Sequence, residues 1–151
     1  MKHRWAALAV VLALGALVPR YAEAQGSTGS GSPARRSPGF ELGQNFPNPF
    51  NPTTTIPFTI GDYPTCTDPG RQYRVSLRIY NVLAQLVAVP ILQGGDGAGQ
   101  PVVNLSLRCG SYTAWWNGNY LNTSQEVASG IYLYRIEVDG RPATKKMLVL
   151  K

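Results

Sequence analysis

"YRVSLRIYN", residues 73–81, decides the fold class. Tyr73, Val75, Leu77 and Ile79 alternate with Arg74, Ser76 and Arg78, which sends apolar side chains to one face and polar ones to the other. A period of two is the pattern of a half-buried β-strand and not of a helix. The same texture extends in both directions. Upstream, Ile56, Phe58 and Ile60 alternate with Thr55, Pro57 and Thr59. Pro57 has no N–H to give a ladder, so this strand is expected at a sheet edge. Downstream, "QLVAVPIL" (85–92), "PVVNLSLR" (101–108), "YTAWW" (112–116), "IYLYRIEV" (131–138) and "TKKMLVL" (144–150) are short strand-like runs. Asn117-Gly118 and Asp139-Gly140 separate them as tight turns. No helical period follows residue 24. About seven short antiparallel strands predict an all-β, immunoglobulin-like β-sandwich over residues 40–151. Val75, Leu77 and Ile79 are then expected to meet the opposite sheet, with Tyr132, Tyr134 and Ile136 as partners.

The chain before residue 40 has a different character. Lys2, His3 and Arg4 precede an apolar run from Trp5 to Val18, and "AEA" at 22–24 is a small-x-small cleavage site. This is the layout of a removable signal peptide over residues 1–24. The alternative, a membrane anchor, needs about 20 apolar residues, and this run is shorter. Export is therefore expected, through the periplasm to the cell surface or beyond, with no stable membrane span once the signal is gone. Residues 25–39, "QGSTGSGSPARRSPG", carry no apolar periodicity and read as a flexible linker.

Composition narrows the chemistry. Loss of residues 1–24 removes Lys2, Arg4, Arg20 and Glu23 and leaves 11 basic against 7 acidic residues, a net charge of +4. The only histidine, His3, leaves too, and with it the usual general base near neutral pH and the commonest metal ligand. Asp62, Asp68, Asp96, Glu126 and Asp139 all lie in turn-rich stretches, where carboxylates are ordinary solvated groups. No enzyme, cofactor or metal site is expected. The basic residues are scattered rather than gathered on one element with aromatics, which argues against a nucleic-acid partner. Cys66 and Cys109 are an even pair in an exported chain and read as a disulfide, with two separate buried thiols as the alternative. Trp115 and Trp116 must point to opposite faces of a strand, one into the core and one at least partly exposed.

"NFPNPFNPTTTIPF" (45–58) is the most unusual stretch: two Asn-Pro pairs flank Phe50 directly before a strand. Proline restricts its own φ and pushes its predecessor toward extended geometry, which predicts a stiff, extended lead-in. Asn48 and Asn51 are expected to bond backbone groups around the prolines, and Phe50 to plug the space between the sheets.

Five motifs now stand in order: Asn48-Pro49-Phe50-Asn51-Pro52, Ile79-Tyr80-Asn81, Trp116-Asn117-Gly118, Ser129-Gly130-x-Tyr132-x-Tyr134-Arg135, and a closing Lys146-Met147 with Lys151. Over residues 41–151 the chain resembles the carboxy-terminal sorting domains of type IX (Por) secretion cargo, and is similar to the Ig-like domain of the flagellar hook-capping protein. It departs from the family at Ala84, where a glycine is usual and where the turn is therefore expected to avoid positive φ. Tyr112 and Asn117 stand where the family has His and Asp. The resemblance implies a non-catalytic sorting and surface-attachment signal recognised by the outer-membrane secretion machinery. It singles out the terminal strand with Lys146, Met147 and Lys151 as an edge within reach of that machinery. The other reading is a free-standing structural or adhesive module of the periplasm or surface, joining a surface assembly.

Overall fold

Nine strands, rather than about seven, are present among the described residues. The structure is a computed structural model that describes residues 39–121 and 123–151. The expected signal peptide (1–24) and the linker up to residue 38 lie outside the described residues. The strands are β1 (Phe40–Leu42), β2 (Thr54–Ile60), β3 (Gln72–Tyr80), β4 (Leu86–Ala88), β5 (Ile91–Gln93), β6 (Leu105–Arg108), β7 (Gly110–Trp116), β8 (Gly130–Val138) and β9 (Arg141–Val149). They form an antiparallel β-sandwich. One sheet runs β1-β2-β7-β5, and the other β4-β3-β8-β9 with β6 also on β3.

Two elements raise the count. Phe40–Leu42, too short to show a period, pairs with β2. "QLVAVPIL" is two strands, because the chain leaves one sheet after Ala88, passes through buried Pro90, and joins the other at Ile91. Proline cannot continue a ladder, so the run breaks where it crosses.

The expected faces hold and the expected neighbours do not. Val75, Leu77, Ile79, Tyr134 and Ile136 are buried, but β3 and β8 are adjacent in one sheet, with Leu77 opposite Ile136 and Ile79 opposite Tyr134. Across the core they share one apolar cluster with Ile56, Phe58 and Ile60 of β2, Leu92 of β5, and Ala114 and Trp116 of β7. Alternation specifies which face is buried and is silent on which strand lies beside it.

β2 is also not an edge strand. It lies between β1 and β7, with Pro57 opposite Thr113. Pro57 is tolerated because its missing N–H faces the gap past the end of β1. There Gly43 donates to the Pro57 carbonyl (2.8 Å), and pairing resumes only at Phe46 opposite Thr55.

The Asn81 turn differs too. Ala84 adopts φ +59°. The Asn81 carboxamide oxygen accepts from the N–H of both Leu83 and Gln85, at 3.0 Å each, and this side-chain frame imposes the left-handed residue.

Candidate functional site

The lead-in explains its own composition. It is a run of bends rather than an extended strand, with cis peptide bonds before Pro47, Pro49 and Pro52. Its path is fixed by bonds to both sheets. Gly43 O accepts from the Tyr134 hydroxyl (2.9 Å), and the hydroxyl oxygen of Tyr134 in turn accepts from Asn45 N (3.1 Å). Asn45 is buried, and its side-chain amide donates to Pro47 O and Thr54 Oγ1, both at 3.0 Å. Phe46 exchanges backbone bonds of 2.8 Å with Thr55 of β2.

The chain then crosses to β9. Asn48 Oδ1 accepts from Leu148 N (2.9 Å), Phe50 N donates to Leu148 O (3.0 Å), and Leu150 N donates to Phe50 O (3.1 Å). Phe50 forms a parallel bridge to Val149. Asn48 therefore bonds a residue a hundred positions away, and Asn51 stays exposed. The prolines fall between these contacts, where no donor is needed.

Around Phe50 the other motifs assemble. Its buried ring meets Trp116 edge-on at 5.4 Å, and Trp116 meets Tyr132 edge-on at 6.0 Å. Trp116 Nε1 donates to Asn119 O (2.9 Å), while Asn117 Oδ1 accepts from Asn119 N (3.0 Å). Trp116 is thus the core partner of the Trp pair and Trp115 the half-buried one on the outer face. Gly118 has φ +76°, and a Cβ there would lie 2.3 Å from the Pro52 carbonyl oxygen. The glycine is required because the lead-in passes directly against it. Tyr132 donates to Ala128 O (3.0 Å), and Ser129 Oγ accepts from Lys151 N (3.0 Å). The Lys151 ammonium pairs with Glu126. Met147 and Val149 lie beneath, buried opposite Tyr132 and Gly130. The Asn-Pro, Trp-Asn-Gly, Ser-Gly-x-Tyr and carboxy-terminal motifs therefore meet at one end of the sandwich.

This arrangement divides the edge of β9. Leu148 directs its N–H and C=O away from β8, so by alternation Lys146, Thr144 and Pro142 do the same. Asn48 and Phe50 occupy Leu148, and Gln44 Nε2 donates to Lys146 O (3.1 Å). The expected open edge is thus covered from Lys146 O to Leu150. Among the described residues, Pro142 C=O, Thr144 N–H and C=O, and Lys146 N–H have no partner. Pro142 sits at an outward position, where its missing N–H costs no ladder bond. Lys145 shares the inward parity of Ala143 and Met147 yet is exposed, an inward-pointing charge that discourages indiscriminate pairing.

Cys66 and Cys109 form a disulfide at the opposite end, with Cα atoms 5.5 Å apart. Nearby, Thr67 donates side-chain and backbone bonds to Asp62, and these hold the Asp62 carboxyl below its ordinary value. Burial pushes the Tyr134 and Tyr112 phenols above their ordinary value. Among the described residues, no three of His, Cys, Asp and Glu come close enough to hold a metal ion.

The tie between Tyr134 and the lead-in escaped sequence reading, because Tyr134 sits in an apolar run as one more core side chain. Asn45, three residues ahead of the first Asn-Pro pair, was the available signal. No family model, curated protein or solved structure matches the chain.

Proposed function

We propose that residues 40–151 are a non-catalytic, exported immunoglobulin-like domain that acts as a sorting and surface-attachment signal for outer-membrane secretion machinery. One observation carries this reading. The residues set apart by their sequence motifs (Asn48, Phe50, Pro52, Trp116, Gly118, Ser129, Tyr132 and Lys151) converge on the end of β9. They hold a strand whose neighbouring stretch, Pro142–Lys146, keeps outward backbone groups open. An open stretch of this kind supports strand addition by a partner, with Arg141, Lys145 and Lys146 favouring an acidic one.

A second reading, a self-contained structural or adhesive module, is favoured by the capping of β9 from Lys146 O to Leu150 by the chain itself. Removing residues 145–151 would not separate the two, because it deletes buried Met147 and Val149. Point changes on the open stretch do. In a host with a type IX system, residues 25–151 are fused behind the signal and a reporter, alongside Thr144→Pro and Lys146→Glu versions checked for folding by circular dichroism. The sorting reading expects the intact fusion at the surface and both variants retained. Folded variants that reach the surface as well as the intact fusion would refute it. An intact fusion that stays in the periplasm favours the structural module.

A further inference from the structure

Among the described residues, the exposed large apolar side chains are not spread over the surface. All but Tyr63 and Val103 lie at the end where β3 finishes and β8 begins. Phe46 is 79 % exposed, Leu83 74 % and Val82 69 %, with Ile131, Leu150 and Leu121 beside them. The register shows that they share this end. Phe46 bridges to Thr55, next to the Thr54–Trp116 pair, and Phe50 ties Val149 to Trp116. Tyr80 lies opposite both Leu86 and Leu133, and Leu121 N bonds to Val87 O. The shared end is therefore an apolar tip carried by separate loops rather than one continuous patch.

Acidic side chains are sorted along the same axis. Of the side-chain carboxylates in the described residues, only Glu126 lies at this end, and the Lys151 ammonium pairs with it. Asp62, Asp68 and Asp139 lie at the disulfide end. Behind the apolar tips, on the outer face of the second sheet, stand Lys146 opposite Leu133, then Arg135 opposite Arg78. Like charges directly opposite on a sheet weaken it, and here Glu137, 3.7 Å from the Arg135 guanidinium on the same face, offsets part of the Arg78–Arg135 repulsion. At about 3.3 Å per residue, Lys146 stands roughly 7 Å behind Leu148 and 13 Å behind Leu150. An amphipathic element docked at a membrane surface buries apolar groups about 5–10 Å deep with cations at the headgroups, and the separation of Lys146 from Leu148 falls in that range.

We propose that this end of the sandwich is a docking tip for an anionic phospholipid bilayer surface. Val82 and Leu83 enter the acyl boundary, Lys146 faces the headgroups, and Arg78 and Arg135 stand one residue pair farther out on the same face. Side chains exposed by two thirds or more protrude, and here they sit on separate loop tips. A rigid protein partner or a second copy would need a matching concavity for each tip, whereas a bilayer closes around any convex shape. Among the described residues no helix is long and apolar enough to cross a membrane, and surface docking needs none. The proposal goes beyond the sorting reading and stands or falls without the secretion machinery.

Co-sedimentation with phosphatidylcholine vesicles, with and without phosphatidylglycerol, tests it on the chain from Gln25 onward, which keeps every strand. Binding is expected to the anionic vesicles only, and to weaken as salt rises. The exposed double change Val82→Ser/Leu83→Ser should lower the partition about tenfold or more. Lys146→Gln should lower it about fivefold, the effect of one basic residue near an anionic surface. Circular dichroism and the unfolding midpoint check that each variant is folded. The proposal is overturned by no binding of the unaltered chain, by equal binding of the folded double variant, or by equal binding to uncharged vesicles. A concentration-dependent dimer in light scattering that Leu83→Ser dissolves would overturn it as well, by assigning the tip to a second copy.

Discussion

Gly118→Ala tests the meeting of the two most distinctive motifs, and Gly140→Ala supplies its control. Both glycines have left-handed backbones, φ +76° at Gly118 and φ +78° at Gly140. An alanine in that region costs roughly 1–2 kcal/mol at either site. A stiffer unfolded chain returns about 0.4–1 kcal/mol of that. The surroundings differ sharply. At Gly140 a Cβ would meet nothing within 4 Å, whereas at Gly118 it would lie 2.3 Å from the Pro52 carbonyl oxygen. Backbone must move to relieve that clash, and overpacking of this kind costs a further 1–3 kcal/mol, roughly. Gly140→Ala should therefore cost about 1 kcal/mol, and Gly118→Ala about 2–4 kcal/mol. Urea unfolding under oxidising conditions, followed by tryptophan fluorescence, measures both. An unchanged slope in each keeps the comparison one of stability. Equal costs would mean that the Asn-Pro segment does not press on the Trp-Asn-Gly turn, and the composite corner would be wrong.

Three further outcomes follow from the core and its ties. Leu77→Ala, at a position with no exposed surface, should cost about 2–5 kcal/mol in the same assay, and a value near zero would put the residue outside the core. Denatured, unreduced protein should label no thiol, and Cys66→Ala/Cys109→Ala should lose about 4 kcal/mol on the chain-entropy model for a separation of 43 residues. Two labelled thiols per chain would contradict the bridge. Tyr134→Phe should cost about 1–3 kcal/mol near neutral pH by leaving Gly43 O and Asn45 N without their partner. Burial raises the folded Tyr134 value above the ordinary 10.0, so the folded state keeps this proton after the unfolded chain has lost it. Its contribution to stability therefore falls as pH rises through about 10. Urea midpoints should show the gap between wild type and Tyr134→Phe narrowing above that pH; a constant gap would place the hydroxyl in solvent.

Sequence pattern carried the sandwich because alternation reports burial directly. The runs at 73–80 and 131–138 have the faces that the period of two assigns them. Adjacency is a different matter, because any two alternating strands present the same pattern whether they lie side by side or across a core. That is why β3 and β8 proved to be neighbours. The same limit applies at 85–92, where each half is apolar and only Pro90 hints that the chain changes sheets. Ala84 went against expectation because a side chain, Asn81, fixes its backbone against a local preference worth only a kcal/mol or two. The motif residues were legible as individuals, since doubled Asn-Pro pairs and Trp-Asn-Gly have no role in a plain strand. Their convergence was not, because it depends on contacts such as Asn48 with Leu148, a hundred residues apart.

The open stretch of β9 is too short to act alone. Pro142 C=O, Thr144 N–H and C=O, and Lys146 N–H together offer four backbone bonds to an added strand. At about 0.5–1.5 kcal/mol net for each bond, they supply roughly 2–6 kcal/mol. Association costs an estimated 4–15 kcal/mol before any gain appears, so the edge gives register and direction rather than affinity. The balance must come from surface beside it, and the candidates are set by the register. Lys146 leads across Leu133 to Tyr80, and Leu148 leads to exposed Ile131. Beyond Lys146 the lead-in stops a partner strand from extending, because Asn48 and Phe50 already hold Leu148. A longer strand would have to displace Phe50 from its place against Trp116 and open the core. The doubled Asn-Pro segment thus limits where pairing ends, and the same contacts that plug the core keep most of the terminal edge closed.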